Sequence, residues 1–312
     1  MPDVTRRLML LDSASMYFRA FYGVPEITAA DGTPVNAVRG LLDFIARLVD
    51  QYSPTDLVCC WDNDWRPQWR VDLLQSYKAH RVVAPNPVGP DVEEVPDPLE
   101  VQVPIIADVL EAFGIAVRGA DGYEADDVIG TLATGAGMPV DVVTGDRDLF
   151  QLVDDEAGVR VLYIARGVGN HERVDDAWVH GKYGVHAAQY ADFATLRGDA
   201  SDGLPGVAGV GEKTAAGLLG RFGDMAGILA AVGDPDSGMA PGPRAKIRAA
   251  AGYLEVAPTV VAVARDLPVD RDGTALPQTP AHPDRVAELA ERFNLAGPAA
   301  RLTEALTRRV SR

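Results

Sequence analysis

The stretch GYEADDVIGTLA, residues Gly122–Ala133, gathers Glu124, Asp126 and Asp127 at what reads as the start of a helix. A few residues on, VVTGDRDLFQLV (Val142–Val153) ends a short apolar run in Asp146 and Asp148. A helix that opens on acids and a strand that closes on them are two parts of one pattern. RLMLL ends at Leu11 and is followed at once by Asp12; LVCCW (Leu57–Trp61) is followed by Asp62; a further apolar run spans Gly158–Ile164. Between the first two lies TPVNAVRGLLDFIARLVDQY, whose Val38, Leu41, Leu42, Ile45, Leu48 and Val49 fall on one helical face. Strands alternating with helices predict an α/β fold with a mostly parallel central sheet flanked by helices. In such sheets ligands collect at the carboxyl ends of the strands, and here three ends carry aspartate.

The chain has 312 residues, 47% hydrophobic and 24% charged, with a net charge of −16. That balance is not uniform. Residues 82–156 hold only Arg118 and Arg147 against 17 acidic residues, whereas residues 157–312 hold 18 of each sign. The acidity is one block, and it contains the opening motif. A helix dipole accounts for any one acid at a helix start, but not for aspartate at three strand ends as well. Hard divalent cations take carboxylate oxygens, and two of them form the usual clamp for attack on a phosphodiester. Cys59 and Cys60 are adjacent, which suits strand packing and not a disulfide framework. No apolar run approaches the ~18–20 residues of a membrane span. The start MPDVTRRLMLLDSAS has too short an apolar run for a secretion signal. A cytoplasmic protein without a membrane partner is expected.

A second motif says what the metals act on. LRGDASDGLPGVAGVGEKTAAGLL (Leu196–Leu219) adds Asp199 and Asp202, then a glycine-rich hairpin that opens a small-residue helix. Gly206, Gly209 and Gly211 permit positive φ and close backbone approach. The amides near Lys213 and Thr214 can meet a phosphate without reading base identity.

Taken in order, LLDSASMYFRAFYG, CCWDNDWRPQWR, SYKAHR, GYEADDVIGTLA, VVTGDRDLFQLV and GDASDGLPGVAGVGEKTA resemble the bacterial 5′→3′ exonuclease branch of the flap endonuclease superfamily. That branch includes the N-terminal nuclease domain of DNA polymerase I and its stand-alone relatives. The resemblance runs from about Leu8 to Leu267. It implies a PIN-like nuclease core, a helical arch and a helical helix–hairpin–helix region. One metal would lie around Asp12, Asp62, Glu124 and Asp126, and a second around Asp126, Asp146, Asp148 and Asp202. Asp127 and Asp199 look like the extra acids of the bacterial branch. Two, at most three, divalent cations (Mg²⁺ or Mn²⁺) are implied, with K⁺ at the hairpin. Lys78, Arg81 and Arg19 match the family's catalytic cations, Lys78 facing the scissile phosphate. Phe18 matches the ring on which a base stacks. Arg70 and Tyr77 fall in basic and aromatic DNA-contact positions, and Gly206–Thr214 in the duplex grip.

The implied activity is metal-dependent hydrolysis of DNA at 5′ flaps or 5′ ends, including RNA primer–DNA hybrids. A DNA polymerase would act in trans, and a monomer is the default. Two other readings stay open: a branched-DNA-binding protein with weak chemistry, and a metal-dependent ribonuclease. The predicted units are a nuclease core over 1–185, with a flexible arch at about 78–98, and a mainly helical DNA-binding region over 186–312, its helix–hairpin–helix at about 196–221. Two departures from the family stand out. VVAPNPVGPDVEEVPDP (Val82–Pro98) is unusually acidic and proline-rich for an arch, and Gly203 stands where relatives commonly have asparagine. The first predicts a mobile arch, the second a loosened turn beside Asp202. The stripe Leu99, Val103, Ile106, Leu110 and Phe113 predicts a core-facing helix kinked at Pro104.

Overall fold

In the computed structural model, which describes residues 6–84, 86, 91–93 and 95–310, the apolar runs become one sheet. The strands are β1 (Leu8–Asp12), β2 (Asp56–Cys60), β3 (Val82–Ala84), β4 (Val92–Glu93), β5 (Ala116–Arg118), β6 (Val140–Thr144), β7 (Val159–Tyr163) and β8 (Glu172–Val174). Six of them form the sheet β5-β2-β1-β6-β7-β8. All its neighbours pair in parallel except β8, which runs antiparallel to β7. The short β5 and β8 escape sequence reading because three residues cannot show a period.

Both faces of the sheet are covered, which is why its inner strands read as unbroken apolar runs. Side chains alternate across the pleat. Leu10, Val58, Cys60, Val142 and Val161 enter one core, and Met9, Leu11, Leu57, Cys59, Val143 and Leu162 enter the other. Cys59 and Cys60 are both buried and unpaired to each other, as strand packing requires.

Helices fill the connections: α1 (Ser13–Gly23), α2 (Asn36–Tyr52), α3 (Gln68–Leu73), α4 (Asp97–Glu100), α5 (Val103–Phe113), α6 (Ala125–Ala133) and α7 (Asp176–Tyr183). Pro104 lies in the first turn of α5, where a missing N–H costs nothing, so it starts that helix and does not kink it. The segment expected as a mobile arch is bounded by α3 and α4, and residues 85, 87–90 and 94 within it lie outside the described residues. Of the remainder, β3 pairs antiparallel with β4. Asp91 is fixed by Arg66 and by a 2.7 Å bond from Trp65 Nε1 to its carbonyl.

Beyond α7 the chain is helical: α8 (Tyr190–Arg197), α9 (Glu212–Phe222), α10 (Met225–Gly233), α11 (Pro241–Ala249), α12 (Ala251–Val261), α13 (Pro283–Arg292) and α14 (Ala296–Val310). The expectation that 186–312 is a single DNA-binding region needs correction. Val286, Leu289, Leu302 and Leu306 from α13 and α14 are buried in the same core as α2 and α5. Arg301 pairs with Asp43 and Arg308 with Asp50, both at 2.8 Å. These last helices thus close the nuclease core. Among the described residues no single helix is long and apolar enough to cross a membrane.

Candidate active site

The parallel topology delivers the strand-end aspartates to one rim. Asp12 ends β1 and caps α1, accepting from Ser15 N at 3.0 Å through Oδ1 and from Thr144 Oγ1 at 2.7 Å through Oδ2. Thr144 ends β6, and its hydroxyl also accepts from Asp146 N at 2.9 Å. One buried threonine therefore sets the spacing of two aspartates on neighbouring strands. Asp62, just past β2, accepts from Ala125 N at 2.8 Å, which ties it to the start of α6. Asp12, Asp62, Glu93, Glu124, Asp126, Asp146 and Asp199 all line one cavity of about 620 Å³, against Lys78, Arg81 and Arg147 as its only cations among the described residues. Glu124 and Asp126 also line a small adjoining cavity with Asp148 and Asp202. Glu124 and Asp126 thus both stand between the two acid groups, as a ligand common to both requires.

This site is short of positive charge. Burial, with repulsion from Asp12 and Glu124, pushes the Asp62 carboxyl up to about 7. Burial likewise raises Asp126, Asp146, Asp148 and Asp202, each with neighbouring carboxylates adding to the effect. Asp148 Oδ1 is buried with no hydrogen-bond partner. An all-oxygen donor set with an orphaned buried oxygen and uncompensated charge fits a hard divalent cation. Among the described residues no three of these side chains are already drawn around a common point as metal ligands. Glu124 is instead turned toward Arg70, Tyr77 and Lys78.

A stability prediction follows from the raised carboxyls. Between the unfolded value near 4 and the folded value near 7 the native state holds more protons than the unfolded chain, so its stability falls as pH rises. In a chelator, the unfolding midpoint should drop from pH 5 to pH 8; a midpoint that rises over that range contradicts the assignment.

The cations divide in an unexpected way. Lys78 is 8% exposed; its Nζ bonds Glu124, and its backbone takes φ 48°, a left-handed conformation held by Lys78 N donating to Asp202 O at 2.9 Å. Arg81 donates to Ser201 O at 2.7 Å and Asp202 Oδ1 at 3.1 Å. Both line the cavity. Arg70 and Tyr77 do not stand where DNA could reach them. Arg70 is 3% exposed and bidentate on Asp127 at 2.7 Å per bond, with a further bond to Glu124 at 3.0 Å. Tyr77 is buried and donates to Glu124 Oε1 at 2.6 Å.

Asp127 is corrected too. It is fully buried, accepting from Arg70, from Glu124 N at 3.3 Å and from Ala264 N at 2.8 Å, which leaves it no role at the cavity. Adjacent aspartates on a helix point about 100° apart, so only one of the pair can face the rim. Arg19 rests against the strand ends, donating to Ala165 O at 3.0 Å. Phe18 lines the cavity with its ring on Tyr17, centroids 5.4 Å apart.

Gly203 does not loosen its turn. It has φ +71°, and a Cβ built there would lie 2.0 Å from the Ser76 carbonyl oxygen. Its bareness is what lets the Asp202 turn dock on the Lys78 loop. Gly203→Ala is expected to cost about 2 kcal/mol, from the left-handed backbone plus this overlap. Urea unfolding checks it, and an unchanged midpoint would show that the loop can move aside.

The helix–hairpin–helix is α8, the loop 198–211 and α9. Gly198 and Gly206 let two backbones touch: a Cβ on Gly206 would sit 2.5 Å from the Arg197 carbonyl. Gly206 and Gly209 have positive φ, but Gly211 has φ −95° and caps α9 in extended form. The first helical bonds come from Thr214 N and Ala215 N to Gly211 O, which leaves the amides of Glu212 and Lys213 free of helical duty. Within the hairpin where K⁺ is expected, the Gly209 carbonyl already accepts from Lys246 Nζ at 2.8 Å.

Sequence reading passed over Thr144, Glu93, Tyr163 and Arg147. Thr144 and Tyr163 end strands β6 and β7, so the strand-end rule that selected the aspartates could have selected them. Glu93 reaches the cavity only through the β3–β4 pairing, which no local pattern announces.

Comparison with known proteins agrees with this geometry. Residues 7–184 match the model of the 5′-3′ exonuclease N-terminal resolvase-like domain, and residues 185–284 that of the 5′-3′ exonuclease C-terminal SAM fold. A 5′-3′ exonuclease of Streptomyces coelicolor is 60% identical over 300 residues, covering 96% of this chain and all of the relative. One of Mycobacterium tuberculosis is 55% identical over 309 residues, covering 96% and 97% of the two chains. Among solved structures, the T5 D15 protein co-crystallised with metal ions superposes with a TM-score of 0.65 at 16% identity, covering 98% of this chain and 99% of that one.

Proposed function

The chain belongs to the 5′-3′ exonuclease family, and from that premise we propose that it is a divalent-metal-dependent, structure-selective nuclease that removes 5′ flaps and degrades DNA from 5′ ends, RNA primers on DNA included. The observation that supports this most is the convergence of strand-end and helix-start carboxylates on one cavity that also holds Lys78 and Arg81. Asp12, Asp62, Asp126 and Glu124 would hold one cation, and Asp126, Asp146, Asp148 and Asp202 a second, with Mg²⁺ or Mn²⁺ equally suited to oxygen ligands. When bound, such a pair activates the attacking water and neutralises charge on the scissile phosphate.

The chain's own residues do the rest. Lys78, freed from Glu124, and Arg81 would meet the scissile phosphate, and their donors sit in a cavity where charge is poorly screened. Phe18 offers a ring for the base beside it. The free amides at the start of α9, with Lys213, would hold a duplex phosphate, so binding is sequence-tolerant and weakens with salt. K⁺ belongs to the same reading of the hairpin, on carbonyls other than that of Gly209. A monomer acting on substrates left by a DNA polymerase in trans completes the proposal.

A 5′-labelled duplex bearing a 5′ flap tests it, incubated with Mg²⁺ or Mn²⁺, with chelator, and with Asp146→Ala. Cleavage near the junction that needs both metal and Asp146 is the expected result. Tight binding without cleavage would favour a branched-DNA reader instead, and cleavage of an RNA flap alone a ribonuclease.

A further inference from the structure

Arg147 is placed as no structural role requires. It is flanked in sequence by Asp146 and Asp148, and it is one of just two basic residues in the acidic block 82–156. The other, Arg118, is committed elsewhere: it donates to the carbonyls of Asp270 and Asp272 at 3.0 and 2.6 Å. Arg147 lines the 620 Å³ cavity, and 42% of its side chain is exposed there.

Its one ion-pair partner among the described residues, Asp199, does not need it. Asp199 is already satisfied, with Oδ1 taken by the Ser201 amide and hydroxyl and Oδ2 by Arg197 Nη2 at 3.2 Å. Burial would raise the Asp199 carboxyl, but these bonds and the two arginines outweigh it and hold it below the usual range. Arg147 Nη2 stands 3.6 Å from Asp199 Oδ2, an ion pair beyond hydrogen-bond reach. Among the described residues its guanidinium has no hydrogen-bonded partner, whereas Lys78 and Arg81 are each bonded within the cavity. Arg197 is held by Asp199 and by Glu212, at 3.2 and 3.5 Å, so this corner is complete without Arg147, whose guanidinium keeps donors to spare.

Resting on the nuclease reading above, we propose that Arg147 is a substrate-binding residue that grips a backbone phosphate flanking the scissile one. Arg81 contacts the 199–202 turn at Asp202 and Arg147 contacts it at Asp199. The strand would therefore cross this turn between two cations, and the planar fork of Arg147 suits a phosphate's non-bridging oxygens. No base edge is involved, so the contact adds affinity without sequence preference.

The test measures flap binding in Ca²⁺ across a salt series for the wild type, Arg147→Gln and Arg147→Lys, with thermal midpoints alongside. Arg147→Gln should bind about tenfold more weakly at low salt. Its plot of log affinity against log salt should lose about one unit of slope. Arg147→Lys should keep the slope, and the midpoints should not move. Unchanged slope and affinity in Arg147→Gln would overturn the proposal. So would a lowered midpoint with unchanged slope, which would make Arg147 a mere counter-ion to Asp199. A wild type that shows no salt-dependent flap binding would instead sink the nuclease reading on which this rests.

Discussion

Asp126→Ala is expected to lower metal-dependent flap cleavage by about a thousandfold or more while leaving the metal-free protein at least as stable as the wild type at pH 8. Asp126 and Glu124 both line the main cavity and the adjoining one, but Glu124 is bonded to Arg70, Tyr77 and Lys78, which leaves Asp126 as the carboxylate for both acid groups to share. Losing it removes an oxygen from each proposed cation site at once. Its effect on folding has the opposite sign. Burial and the charges of Asp12, Asp146 and Glu124 hold its carboxyl well above the ordinary range. Above the ordinary carboxylate range the unfolded chain gives up this proton freely and the folded state does not, so the wild type loses stability there. Removing the group relieves that loss, and the relief should shrink as pH falls toward the ordinary carboxylate range. Single-turnover cleavage and thermal unfolding in chelator read the two effects separately. Cleavage within tenfold of wild type would refute the sharing, and a midpoint well below wild type would mean that Asp126 holds the fold together.

The contrast with its neighbour shows what a sequence carries and what it does not. The strands, the long helix α2 and the cluster of acids were all legible, because each depends on local patterns: apolar runs of strand length, a period of 3.6, and aspartate at strand ends. The division of labour within the cluster was not. Asp126 and Asp127 are the same residue type in one helical turn, and only tertiary packing decides that one faces the rim and the other meets Arg70. Lys78 and Tyr77 are likewise adjacent, yet one enters the cavity and the other supports Glu124 from beneath. Gly203 reads as a weak point in sequence and proves to be a close-packed one. The return of α13 and α14 to the first core was hidden for a different reason. An amphipathic helix declares that it has a partner but not which one, and α2 lies more than 200 residues away.

Arg70→Ala is expected to destabilise the fold by about 3–5 kcal/mol, because it strands a buried carboxylate. Asp127 is 0% exposed and Arg70 3%. Besides its two bonds to Asp127, the guanidinium bonds Glu124 and donates through Nε to the Val260 carbonyl at 3.0 Å. It thereby joins α3, the start of α6 and the end of α12. Arg70→Lys should recover only a small part of the loss, since an ammonium cannot reproduce the fork. Removing both charges should be less damaging than removing one: Arg70→Met combined with Asp127→Asn leaves no bare ion behind, and its urea midpoint should lie above that of Arg70→Ala. A midpoint for Arg70→Ala within about 1 kcal/mol of wild type would mean that Asp127 finds water or another donor. Cleavage in Arg70→Ala should also fall at temperatures where the variant is still folded, because Glu124 loses the bond that fixes its angle toward the cavity. If activity per folded molecule were instead unchanged, Arg70 would serve the fold alone and Tyr77 would suffice to position Glu124.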